Sequence, residues 1–287
     1  MLSKLLNAAT CLVLCMPCSM SIAGVIFSMD HNTLPAVGDP VTTWGDFSKT
    51  YGIPVVATYA GEKWLDNHAS SFDRLTHNSG NNANPIPING ATVVTAIKHD
   101  RNGVNGNPWT SIVDIFYDQL AIGVRNDTGQ ITVKVTGANA ANHLWYGPVL
   151  PDEEAGVLSL SVDNTANFEV FWRAEGEAVS TSLGTGTGNT DGRPYTALYP
   201  GAGGRGFAHW MNIGRNQPDS WPTFNGLIGD TIVLDEQLSP AALAAMETQV
   251  ANAMGIGAIS VPEPGSLALL GLGLAGLGFA RRKAKAS

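Results

Sequence analysis

The sequence predicts an all-β protein: a two-sheet antiparallel sandwich with one late α-helix, set between an N-terminal signal peptide and a C-terminal hydrophobic helix. Three observations predict it. Apolar residues recur at every second position in many short runs, clusters of Gly, Asn, Asp and Pro separate those runs, and only one segment shows helical periodicity.

The first element is residues 1–23. Lys4 supplies a positive start, Leu5 to Met20 is mostly apolar, and Ser21-Ile22-Ala23 offers small residues at the two positions a signal peptidase inspects. Cleavage there would leave Gly24 as the mature N-terminus. Cys11, Cys15 and Cys18 all lie inside this segment, so the exported product is expected to have neither thiol nor disulfide. Leu12-Val13-Leu14-Cys15 resembles a lipobox, but Leu14 is too bulky for the position before a lipidated cysteine.

The body, residues 24–258, is read as one domain without internal repeats or linkers. Strands are predicted from Val25 to Met29, Ile53 to Thr58, Thr92 to Lys98, Ser111 to Tyr117, Leu120 to Val124 and Ile131 to Val135. More follow from His143 to Tyr146, Val157 to Val162, Phe168 to Arg173, Gly206 to Ile213 and Gly226 to Leu234. Asn78 to Pro87, rich in Asn and Pro, reads as a loop. The helix starts at Ser239, an N-cap followed by Pro240, and places Leu243, Met246, Val250 and Met254 on one face before Gly255 ends it.

Between Gly24 and Ser260 the chain carries 11 basic and 23 acidic residues, a formal charge of −12. That balance disfavours nucleic acid and anionic membrane as partners. Cleaving a polysaccharide on a sheet calls for carboxylates two or more positions apart on one strand, facing one cleft. No Glu-x-Asp-x-x-Glu arrangement occurs, and Asp152-Glu153-Glu154 and Asp235-Glu236 fall at predicted turns or strand ends, so the body is read as non-catalytic. Gly201 to Gly206 and Gly271 to Gly276 match a dinucleotide fingerprint only as strings, because neither follows a strand and opens a soluble helix.

His31, His68, His77, His99, His143 and His209 show no paired zinc-ligand spacing, and no cofactor is expected. Calcium is the exception, with loop oxygens at Asn126 and Asp127 or at Asp163 as candidate ligands; ordinary turn formation is the competing reading of these residues. Of the seven tryptophans, Trp44 and Trp172 alternate with core positions. Trp145 with Tyr146, and Trp221, are the candidates for a ligand-binding rim that stacks on sugar rings.

The last element is the tail, residues 259–287. Val261, Pro262, Glu263 and Pro264 precede an uncharged span at 266–280, and a basic end at 281–285 opens with Arg281 and Arg282. As a helix the span would measure about 22 Å against a hydrocarbon core of about 30 Å, a marginal anchor. Proline motif, short Gly- and Leu-rich span and basic end, in that order, resemble the PEP-CTERM sorting signal. The resemblance implies an exosortase-type enzyme as partner, transient or lasting membrane contact through the tail, and display at the envelope, surface or extracellular matrix of a Gram-negative-type bacterium.

A second resemblance covers the body. His209 to Gly214, Phe224 to Asp235 and the helix running to Ile256 are similar to the closing section of laminin-G-like, concanavalin A-like jelly-roll domains. Val41 to Ser48 and Leu158 to Glu177 resemble earlier parts of the same family. One departure is Ala155-Gly156, where the family pattern has a tryptophan–histidine pair. The resemblance implies a jelly-roll that binds glycan or matrix components. A structural matrix protein without a ligand and a divergent polysaccharide hydrolase or lyase remain as alternatives.

Overall fold

Alternating side chains need two faces to bury against, and the chain supplies them by folding into two facing sheets. The computed structural model describes residues 24–51, 54–67, 74–78, 84–101, 110–116, 119–137, 144–190, 192–200, 210–214 and 223–258. The predicted signal peptide, the whole sorting tail, Trp221 and both glycine-rich strings lie outside them.

The strands, in chain order, are β1 (Val25–Met29), β2 (Thr43–Trp44), β3 (Phe47–Tyr51), β4 (Val55–Tyr59), β5 (Glu62–Asp66), β6 (Arg74–Asn78), β7 (Ile86–Pro87), β8 (Ala91–His99) and β9 (Val113–Ile115). They continue as β10 (Leu120–Val124), β11 (Gln130–Val135), β12 (Trp145–Val149), β13 (Ala155–Val162), β14 (Asn167–Ala174), β15 (Thr181–Thr187), β16 (Ala197–Leu198), β17 (Trp210–Ile213) and β18 (Gly226–Leu234), before helix α1 (Pro240–Ala253). The first sheet runs β15-β14-β13-β8-β18-β5-β4, with β1 also on β18; the second runs β12-β11-β10-β9-β17-β6-β3-β2. Pairing within both is antiparallel, as the sequence predicts. Strands β7 and β16 form a small two-stranded sheet, so the predicted 78–87 loop ends in a strand.

Inward residues of the two sheets share one core. Ile97, Leu158, Leu160 and Ile228 meet Ile112, Ile115, Leu120 and Ile213, all fully enclosed. A second, smaller core lies on the outer face of the first sheet. There Val94, Ala96 and Val157 are covered by Leu243 and Val250 of α1 and by Met254 just beyond its end. The Ser239 hydroxyl accepts from the Ala242 amide at 3.3 Å, and Gly255 takes φ +70° just beyond the helix, so the predicted helix start and end both hold.

Strand β18 organises the first sheet. One side pairs with β8 along most of its length. The other side is divided: Leu227 and Ile228 pair with β5, and Thr231 to Leu234 pair with β1. An irregularity between Ile228 and Thr231 marks the changeover, and Asp230 sits there.

His99, at the end of β8, is 1% exposed with its ring 5.9 Å from Phe224. Burial pushes its imidazole down to about 4; Asp152 opposes the shift and Arg101 adds to it. A folded-state value below the unfolded one means that stability is fully present above about pH 6.5 and is lost as pH falls toward 4. Urea unfolding at pH 7 and pH 5 should show a loss of about 2 kcal/mol that a His99→Leu variant lacks.

Candidate functional site

Strand β15 reads Thr-Ser-Leu-Gly-Thr-Gly-Thr, and its glycines are set by what lies beneath them. A Cβ at Gly186 would come within 2.4 Å of the Phe168 ring, and one at Gly184 within 3.2 Å of the Trp145 ring. Those two rings meet edge-to-face, centroids 5.7 Å apart at 84°. Glycine on the inward side therefore lets the edge strand lie flat on an aromatic pair, and the alternate residues, Thr185 and Thr187, face outward.

Register then assembles a polar face. Asn167 is opposite Thr187 and Glu169 is opposite Thr185 on the outer side of β14 and β15. With Asp163 and Gln237 they line a groove of about 330 Å³, within the usual range for small-molecule sites. The Thr187 hydroxyl donates to Asn167 Oδ1 at 3.0 Å, and the Ser182 hydroxyl donates to Glu169 Oε1.

Asp163 fixes the end of the groove through the β13–β14 turn. Its Oδ1 accepts from the Thr165 amide (2.8 Å), the Thr165 hydroxyl (2.7 Å) and the Asn167 amide (2.9 Å), and its Oδ2 accepts from Asn167 Nδ2 (3.0 Å). Partial burial pushes this carboxyl up, but the donors on Asn167 and Thr165 outweigh it and hold the group below the usual carboxylate range. Asp163 is thus a fixed, ionised acceptor, unlike the raised-pKa acid that glycoside cleavage uses.

The other residues singled out by sequence are placed separately. Tyr146 is 44% exposed on β12, whereas Trp145 turns onto Phe168 and supports β15 from within. The two are not one rim, because neighbours on a strand point to opposite faces. Asn126 is buried, donating to the Thr223 carbonyl at 2.7 Å and accepting from the Asn225 amide at 3.0 Å. Asp127 takes a two-pronged contact from Arg125, at 2.9 and 2.7 Å, which holds its carboxyl low. Asn126 and Asp127 stand in the β10–β11 turn, in a different part of the chain from Asp163, and the oxygens named here are engaged by protein donors.

A second polar row crosses the other sheet: Thr76, Asn212 and Asp114 are register partners. Thr76 Oγ1 donates to Asn212 Oδ1 at 3.0 Å and Asn212 Nδ2 donates to Asp114 Oδ2 at 3.3 Å. All three are at most 6% exposed, so the row ties strands together and offers no open surface.

One cluster with metal-ligating chemistry escapes sequence spacing. Asp30 follows β1, His31 opens a 3₁₀ turn (His31–Thr33), and Asp230 comes from β18; one ligand atom from each lies within 4.8 Å of the others. Burial raises the Asp230 carboxyl, and the His31 backbone and ring bonds only partly offset it. Asp30 and Asp230 are 200 residues apart, so only the β1–β18 pairing could reveal them.

Residues 260–283 match the PEP-CTERM protein-sorting motif, a signal for export and envelope sorting. Among the described residues, no helix is long and apolar enough to cross a membrane. No curated protein matches the chain significantly. Among solved structures, the chain is similar to domain 4 of AbnA, a GH43 extracellular arabinanase from Geobacillus stearothermophilus, seen in complex with arabinotriose. Identity is 16%, covering 78% of this chain and 98% of that one, with a TM-score of 0.48. It is also similar to the Ruminococcus gnavus IT-sialidase CBM40 bound to α2,3-sialyllactose (13% identity, 56% and 83% covered, TM-score 0.39). A third likeness is to the botulinum neurotoxin serotype D binding domain (11% identity, 78% and 51% covered, TM-score 0.47).

The glycine requirement is testable. Gly186→Val should lower stability by about 1–3 kcal/mol through overpacking on Phe168, measured by denaturant unfolding. Gly176→Ala, with nothing within 4 Å of its added carbon but φ +80°, should cost about 1 kcal/mol from backbone strain alone.

Proposed function

We propose that this exported, envelope-sorted chain is a non-catalytic glycan-binding protein, and that the β14–β15 groove is where the glycan sits. The single observation that carries the reading is the cross-strand polar face: Asn167, Glu169, Thr185 and Thr187 bring amide, carboxylate and hydroxyl groups together in one register-fixed groove. Alternating donors and acceptors at sheet spacing suit the vicinal hydroxyls of a sugar ring. Asp163, locked as an acceptor, supports recognition over proton donation. The groove offers hydrogen bonds more than aromatic stacking, which favours weak, hydroxyl-specific binding. The tail is the substrate of an exosortase-type enzyme in a Gram-negative-type bacterium, and the acidic body keeps to uncharged or cationic surfaces of the surrounding matrix.

The test is a glycan array on the full chain, with calcium chelated and with calcium added, followed by titration of the best binder. Glu169→Ala and Thr185→Val should each weaken binding about tenfold, roughly 1.4 kcal/mol, the loss of one strong hydrogen bond. Tyr146→Ala should leave it unchanged. Binding abolished by Tyr146→Ala but untouched by the groove variants would move the site to β12, and binding to no glycan would remove the function.

A further inference from the structure

We propose that Asp30, His31 and Asp230 hold a divalent transition-metal ion at the junction of β1, β5 and β18. His31 is 5% exposed, and both of its ring nitrogens face carboxylate oxygens: Nδ1 lies 2.9 Å from Asp230 Oδ1 and 3.6 Å from Asp30 Oδ1, and Nε2 lies 3.3 Å from Glu62 Oε2. A neutral imidazole has one N–H and one lone pair, so it cannot donate to Asp230 and Glu62 at once. A metal ion held at Nδ1 between Asp30 and Asp230 would leave the Nε2 proton for Glu62.

Which cation follows from the asymmetry. Two carboxylates converge on Nδ1 with separations of 2.9 and 3.6 Å, the spacing that neighbouring ligands about 2.1 Å from one ion would have. A single carboxylate, Glu62, faces Nε2, the outer partner that orients a metal-bound histidine. An imidazole in the set favours zinc-like ions over calcium or magnesium, which prefer all-oxygen sites. The His31 amide on Asp230 Oδ1 (2.7 Å) and the Asn32 amide on Asp30 Oδ1 (2.9 Å) hold the carboxylates in place.

The probe is zinc, titrated into the chelator-stripped full chain with Cys11, Cys15 and Cys18 alkylated, in competition with a chromophoric chelator. One equivalent should bind and raise the Tm. Asp30→Asn, at an exposed position that keeps its capping oxygen, should weaken binding at least tenfold, and Glu62→Gln several-fold. Cobalt in place of zinc should give the visible spectrum of a four-coordinate nitrogen–oxygen site, lost in His31→Asn. No binding, binding indifferent to Asp30→Asn, or equal stabilisation by calcium would each overturn the assignment.

The opposite end of β1 carries a second, independent inference, which rests on cleavage after Ala23. Gly24 N lies 2.7 Å from Asp235 Oδ1, and the Gly24 carbonyl accepts from the Asp235 amide at 3.0 Å. A Cβ on residue 24 would fall 2.4 Å from Asp235 Oδ2, so this carboxylate is packed against a glycine. We infer that Asp235 receives the α-ammonium created by signal-peptide removal, turning an amide hydrogen bond into an ion pair. Asp235 is the charged group facing that nitrogen; Glu236 is next in sequence, and Asp30 stands at the far end of β1.

The ion pair exists only while the ammonium is protonated, so its contribution is present at neutral pH and lost at alkaline pH, where the ammonium gives up its proton. Mass spectrometry should place the processed N-terminus at Gly24. The Tm cost of Asp235→Asn should then be larger in processed than in uncleaved protein, and should shrink between pH 7 and pH 10 only in the former. An N-terminus elsewhere overturns the cleavage reading, and a pH-independent cost in a protein starting at Gly24 overturns the ion pair.

Discussion

The sandwich depends on the pairing of β18, because that strand gathers β8 along one side and both β5 and β1 along the other. Strands β13, β14 and β15 continue the sheet beyond β8, and β4 continues it beyond β5. With no cysteine beyond residue 18, nothing covalent supports it. Its stability comes from apolar burial between the sheets and, on the outer face, from α1 lying over Val94, Ala96 and Val157. The irregularity in mid-strand lets two partners share one side, and it leaves Asp230 in the gap between them. The polar chemistry around His31 is thus a by-product of how the sheet solves a packing problem.

Legibility from sequence tracked how strongly each segment's own pattern matched its burial. Strands β8, β10, β11, β13, β14 and β18 are long or apolar on one face, and period-two reading finds them. Helix α1 announces itself through Ser239, Pro240 and Gly255. Strands β3, β5 and β6 escape because Lys49, Lys63 and Arg74 interrupt the apolar rhythm, and β15 escapes because its inward Gly184 and Gly186 carry no side chain. A glycine alternating with threonine looks like a loop until the aromatic rings beneath it are known.

The candidate site was legible only in fragments. Asp163 is a visible turn former, and the structure assigns its oxygens to the Asn167 and Thr165 donors that shape the hairpin. Glu169, Thr185 and Gln237 carried no local signal, since they become neighbours through strand register and a connection from β18. Trp145 was conspicuous for its size, but its role is support: it fills the space beneath Gly184, as Phe168 does beneath Gly186. Position on a strand's inner or outer side decided its fate, and one residue of register exchanges Trp145 for Tyr146.

Strand β1 has one further consequence. Its partner in the sheet lies some two hundred residues away, Val25 opposite Leu234. The first strand of the domain therefore has nothing to pair with until nearly all the rest of the domain is in place, and a closure that distant in sequence is slow to form.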